Sequence, residues 1–266
     1  MCGRLNQNQL LSLEKKELKM ERRLKKAKED KKSGLLVLNN ICPTDYADVL
    51  RLEDGVLCGE RMRFGLVPGW AKGTKAEAGK KFVHTFNARC ESIFELASFR
   101  GPILRQRCLV PVRGWHEWPD RKTPYFIHRT DDAPVLLAGI WDVWESPFPE
   151  DVESGPVITS MSVVTTPPGR YMAKFHDRSP LILDDEAALA WLQPGLKAED
   201  LRALFTPSES EYLEAYRVST AANQARNKSE EVLQPIAPPV PQHGTEPLAP
   251  LPAEDPVHPL LPGLSS

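Results

Sequence analysis

The chain begins MCGRLNQ, with Cys2 directly behind the initiator methionine. Cysteine is small enough for aminopeptidase to remove Met1, and the mature chain would then start with a thiol and a free α-amine on one two-carbon unit. A free α-amine titrates near 7.7–8.0 against about 10.4 for lysine, so at pH 7 roughly a seventh of such amines are neutral, versus a few in ten thousand lysines. That favours attack on a carbonyl several-hundred-fold. The amine condenses with an aldehyde to an imine, and the neighbouring thiol closes on the same carbon to give a five-membered thiazolidine. Neither lysine nor an internal cysteine can do this. The thiol could instead attack an acyl group, as in amidohydrolases with an N-terminal cysteine nucleophile. Cys2 alone leaves both chemistries open.

Four further blocks follow in order: RFGLVPGW (63–70), FNARCES (86–92), RCLVPVRGWHEW (107–118) and FHDRSP (175–180). Each sets polar or charged residues beside a strand-like or turn-like stretch. Together with MCGR, they resemble the SRAP family of abasic-site-processing proteins, and the likeness runs from Cys2 through about Asn227. The resemblance implies covalent capture of abasic sites in single-stranded DNA. The open-chain aldehyde of the abasic sugar is the carbonyl, Cys2 supplies the groups that trap it, and neither cofactor nor metal is required.

The resemblance also assigns roles. Glu117 matches a carboxylate that moves protons during sugar-ring opening and imine formation, a task suited by a pKa that burial raises towards neutrality. His176 matches a histidine that transfers a proton at the sugar hydroxyl, assisting reversal of the crosslink and strand cleavage by β-elimination; an ordinary pKa of about 6.5 suits either direction. Asn87 matches an asparagine that lines the pocket and helps hold the sugar and the Cys2 amine. Arg4, Arg89 and Arg178 match arginines that contact phosphates around the lesion, where a planar fork suits two-point contact. Trp70 is the expected stacking surface for a neighbouring base, worth about 1–3 kcal/mol. If three arginines meet phosphate, the log–log salt slope is about −2.

The chain departs from the family pattern at several places. His116 stands where tyrosine is usual, adding a titratable group beside the expected acid that could shift its proton affinity or exchange roles with it. Cys90 replaces a serine, Cys42 an alanine and Ser179 a methionine. Two other functional classes remain open. One is a thiol peptidase or amidohydrolase in which Asn87, Glu117 and His176 serve Cys2. The other is a non-catalytic module that shelters single-stranded DNA. A metalloprotease is disfavoured, because WPD after His116 and Glu117 does not complete HExxH.

The elements that must position these residues are mostly strands. RCLVPV (107–112), PYFIHR (124–129), VLLAGIWDVW (135–144) and ITSMSVVTT (158–166) are β-branched or aromatic runs bounded by Pro, Gly and Asp. Helices are expected over 91–99, 185–192 and 198–205. No βαβ rhythm is visible, so the expected fold is α+β, a predominantly antiparallel, barrel-like β core with peripheral helices. That domain should span 1–232, with a basic helical insertion at about 8–33, where residues 14–32 hold ten Lys or Arg against five Asp or Glu. The tail 233–266 holds ten of the 25 prolines and only three charged residues. It should be extended or disordered, and its composition also suits docking to an unidentified partner.

Net charge is −2, and without the three tail acids (34 basic against 33 acidic) the body is +1. The five cysteines, an odd number without CxxC spacing, argue against a disulfide framework or a structural zinc site. No apolar run approaches the roughly 20 residues of a membrane span, and no signal peptide opens the chain. A cytoplasmic, monomeric protein that associates with the nucleoid on DNA is expected.

Overall fold

The computed structural model describes residues 3–7, 39–151, 155–207, 211–243 and 248. Cys2, the expected basic helix and most of the Pro-rich tail lie outside the described residues. Within them the strands are β1 Leu5–Asn6, β2 Tyr46–Glu53, β3 Val56–Phe64, β4 Asn87–Arg89, β5 Arg107–Val112, β6 Gly114–Glu117, β7 Tyr125–Arg129, β8 Val135–Glu145, β9 Val157–Thr166, β10 Ser179–Pro180, β11 Ile182–Leu183 and β12 Leu213–Arg217. The four long runs expected from the sequence are β5, β7, β8 and β9.

Five strands close on themselves in the order β9–β3–β2–β5–β8–β9. All neighbours in this barrel are antiparallel except β3 and β9, which run parallel with Arg63 opposite Ser160. The α+β, barrel-centred fold expected from the sequence is the one observed. The β2–β3 hairpin turns on Asp54 and Gly55 at φ 50° and 75°, the backbone a two-residue hairpin loop demands.

RCLVPV is buried throughout, and apolar after Arg107, because both of its faces are covered. Cys108, Val110 and Val112 join Ala47, Val49, Met62, Phe64, Leu137, Met161 and Val163 on one side. Leu109 faces the second cluster, with Ile93, Ile103, Ala138, Trp191 and Leu201. The first cluster continues into a second antiparallel sheet, β1–β6–β7–β12, through Leu5, Trp115, Ile127 and Ala215. That smaller sheet carries Glu117.

Helices form at Asp185–Leu192, capped by the Asp184 carboxylate on Ala187 N–H, and at Ala198–Ala203. The expected helix over 91–99 is instead a succession of turns, with i→i+3 bonds (Glu95 to Ser92, Phe99 to Leu96) interleaved with i→i+4 bonds (Leu96 to Ser92, Arg100 to Leu96). A regular helix would confine its apolar side chains to one stripe. Here Ile93 and Phe99 are buried while Leu96 is 48% exposed, and Glu91 is held by Arg178.

Residues 234–243, at the head of the Pro-rich segment, run extended beside β12. Ile236 N–H donates to Arg217 O at 2.9 Å and Val240 N–H to Ala215 O at 2.7 Å. Tyr171 OH donates to Val240 O at 3.0 Å, and Lys174 Nζ to Pro241 O at 2.7 Å. This strap covers a sheet edge that would otherwise offer unpaired backbone groups. Truncation after Leu233 should lower unfolding free energy by about 2 kcal/mol, the net worth of a few hydrogen bonds after ordering costs. Truncation after Leu248 should leave denaturant midpoints unchanged.

Candidate active site

Gly114 opens β6 because a Cβ there would run into the Ile127 carbonyl oxygen and the Phe126 ring. The strand then alternates. Trp115 enters the core and Glu117 is 1% exposed. Burial raises the Glu117 carboxyl to about 7, with the positive charge of the chain's amino terminus pulling it down and Asp177 pushing it up. At neutral pH such a group is present in both protonation states, which is what moving a proton out and back requires.

His116 does not share this role. It packs against Phe126 with ring centroids 5.1 Å apart, and its Nε2 lies 2.8 Å from Val232 O. Burial drops its pKa to about 4. The ring is therefore neutral at physiological pH, with Nε2–H donated to that carbonyl. Strand alternation turns it away from Glu117.

The N-terminal segment is stitched between β6 and residues 39–42. Leu5 pairs with Trp115 and Asn6 with Gly114, while Leu5 and Ile41 exchange backbone bonds of 3.0 and 2.7 Å. His116 N–H donates to Arg4 O at 3.0 Å. Continued by one residue, this register sets Gly3 opposite Glu117. Arg4 Nη1 donates to Asn40 Oδ1 (2.8 Å) and Ala222 O (3.1 Å), and its guanidinium lies 5.4 Å from the Trp118 ring centroid. Asn40, at φ 49°, donates in turn to Gln224 O and Asn227 O. Arg4 thus braces the segment from a half-buried position.

The end of β9 gathers the other residues. β4 lies along one stretch of it, with Asn87 opposite Val163 and Arg89 opposite Thr165, and β10 pairs Ser179 with Thr166. Asn87 is buried, and neither its Nδ2 nor its Oδ1 has a hydrogen-bond partner among the described residues. Leaving such groups unmade costs about 1–3 kcal/mol each, and a polar ligand would satisfy them. Arg89 is exposed. Arg178 is buried, with Nη1 and Nη2 forked onto Glu91 at 2.5 and 2.9 Å and Nη2 also on Thr165 O at 2.7 Å.

The segment 175–177, which carries His176, connects the two halves. Tyr125, opposite Glu117 in the sheet, packs against Phe175 at 5.4 Å, and the charge of Asp177 reaches Glu117. The His176 Nδ1 has two competing neighbours: Arg178 N–H at 3.0 Å, which needs a lone pair, and Asp177 Oδ1 at 2.6 Å, which needs a proton. Burial first, then the amino-terminal charge, lowers the imidazole's pKa. The neutral ring therefore accepts from Arg178 and carries its proton on Nε2. Trp70 is 54% exposed, and its indole N–H donates to Ala97 O at 3.1 Å.

Residues 1–225 match SRAP, SOS response associated peptidase. The chain belongs to the SRAP family. It is similar to the abasic site processing protein YoqW of Bacillus subtilis (strain 168), with 35% identity over 179 residues, covering 65% of this chain and 75% of YoqW. The abasic site processing protein HMCES of Pongo abelii is 32% identical over 207 residues, covering 66% of this chain and 56% of HMCES. The chain thus spans just over half of that longer relative. Among solved structures, a protein from Bacteroides thetaiotaomicron superposes with a TM-score of 0.64 at 25% identity, covering 79% of this chain and 94% of that one. One from Bordetella bronchiseptica gives 0.62 at 25% identity, covering 82% and 100%.

In this SRAP chain, sequence reasoning assigned nothing to Glu91, Asp177, Asn40 or Trp118, which hold Arg178, His176 and Arg4. Glu91 and Asp177 sit inside the quoted blocks, so an acid one or two positions from a motif arginine was the available signal. Among the described residues no helix is long and apolar enough to cross a membrane, and no group of three or more His, Cys, Asp or Glu is placed to hold a metal.

Proposed function

We propose that this protein processes abasic sites in single-stranded DNA by bonding itself to them through Cys2 after Met1 removal. One observation carries the reading furthest: a carboxyl of pKa about 7 is buried at the end of the strand on which the N-terminal segment lies. Glu117 takes the proton released as the hemiacetal opens and returns it as the carbinolamine loses water. The Cys2 amine forms the C–N bond of the imine with release of one water. The thiol then adds across C=N, making the C–S bond and passing its proton to nitrogen. His176, neutral and protonated on Nε2, exchanges a proton with the sugar hydroxyl and serves reversal and β-elimination. The Asn87 amide holds the sugar.

Arg89 supplies an open guanidinium for a phosphate, whereas Arg178 would first have to exchange Glu91 for one. Trp70 offers its ring face to a base. The family name and the abasic-site-processing names of the relatives support the substrate class. The test is incubation with a single-stranded oligonucleotide bearing one abasic site. A slower band that survives denaturation without borohydride is expected, since a simple imine would hydrolyse. Turnover of peptide with the DNA left unmodified would establish the thiol-hydrolase reading instead.

A further inference from the structure

Beyond Trp70 the surface turns basic in a way the lesion chemistry does not use. Helix Lys75–Lys81 starts with a capping box in which Glu77 Oε2 accepts Thr74 N–H at 2.9 Å and Thr74 Oγ1–H at 3.2 Å. Next to it is an open concavity of about 700 Å³ lined by Lys72, Gly73, Glu77, Lys80 and Lys81. The one carboxylate in that lining is occupied by the start of its own helix, while three exposed lysines converge from two separate segments. The concavity's Lys81 is linked to the tryptophan through one ring. Lys81 Nζ lies 5.8 Å from the Phe82 ring centroid, and Phe82 meets Trp70 edge-on at 5.8 Å. The Trp70 N–H is already donated, so a bare ring face is what that residue has left to offer.

An aromatic face followed by a cationic cradle is what a single strand recognises, with bases stacking and phosphates paired to ammonium groups. We propose that the Lys72–Lys80–Lys81 cradle is an accessory subsite for the backbone of single-stranded DNA flanking the lesion, two or more nucleotides beyond the base on Trp70. The proposal rests on the function proposed above. It adds that strand length outside the reactive site contributes affinity.

The experiment compares Lys80→Ala/Lys81→Ala with the wild type on undamaged oligothymidylates of about 7 and about 20 nucleotides, within and beyond the span of one single-strand site. Losing two phosphate contacts should weaken the longer oligonucleotide roughly tenfold near physiological salt and flatten its log–log salt slope by about 1.4, leaving the shorter one within twofold. Lys80→Arg/Lys81→Arg should restore the slope. Equal losses on both lengths would place the lysines inside the primary strand site, and no loss on the longer would leave them to a solvated face or to an acidic protein partner; either result would overturn the accessory subsite. Covalent capture on the short oligonucleotide with a central abasic site reads out separately: its absence in the wild type would sink the proposed function while leaving the length comparison interpretable.

Discussion

Cys2→Ala is expected to reduce the denaturation-resistant adduct with abasic single-stranded DNA to background, at least a hundredfold below the wild type. The variant keeps an α-amine of nearly the same basicity, so it can still form an imine. It has no sulfur to close the ring, and the imine hydrolyses when the protein unfolds. Borohydride should therefore recover a band from Cys2→Ala and from Cys2→Ser, because reduction fixes the C–N bond alone. Affinity for undamaged strands should be nearly unchanged, since the proposed DNA contacts, Arg89 and Trp70 foremost, do not include Cys2. A wild-type-like band from Cys2→Ala would mean that another nucleophile makes the bond. Undiminished protection of the lesion by Cys2→Ala would leave a sheltering module in place of a covalent trap.

Glu117→Gln should have two opposite effects. Gln cannot carry the proton, so the rate of capture should fall about 10²–10⁴-fold, and the part of the pH–rate profile that titrates near 7 should vanish. Stability should move the other way. The Glu117 pKa of about 7 lies above its ordinary 4.5. The folded protein therefore binds this proton more tightly than the unfolded chain does. Stability is fully present below about pH 4.5 and is lost as pH rises towards and through 7. An uncharged Gln escapes that loss, so at pH 8 the variant should be more stable by up to about 3 kcal/mol, and close to the wild type at pH 4.5. Measured by denaturant titration at both values, a slow but stabilised enzyme separates proton transfer from damage to the fold. Equal destabilisation at both pH values would mean that the carboxylate is structural.

Much of the framework was legible because its strands are local signals. RCLVPV and ITSMSVVTT are β-branched runs cut by breakers, and they appear as β5 and β9. Closure of the barrel was not legible. It depends on a parallel pairing of Arg63 with Ser160, nearly a hundred positions apart, and no periodicity encodes that. The segment 91–99 carries apolar residues at helix-compatible spacing, yet Arg178, 87 positions away, fixes its start through Glu91.

The candidate site shows the same division. Motif blocks drew attention to Asn87, Glu117 and His176, and two-residue alternation along β6 was enough to turn His116 away from Glu117. Burial of Asn87 without a hydrogen-bond partner among the described residues, and the competition for His176 Nδ1, arise only when β4, β9 and the 175–178 segment meet. The segment 234–243, as part of the tail, was expected to be extended or disordered, and it is extended and hydrogen-bonded. Its lodging on β12 follows from an edge whose location no local composition reveals.

The most direct measurement is mass spectrometry of the DNA-linked peptide released from a completed reaction. The expected product is the N-terminal peptide without Met1, carrying the sugar remnant on both nitrogen and sulfur of Cys2, with a mass lower by one water than peptide plus aldehyde. A remnant on any other side chain, or on a peptide that still begins with methionine, would contradict capture by the terminal aminothiol.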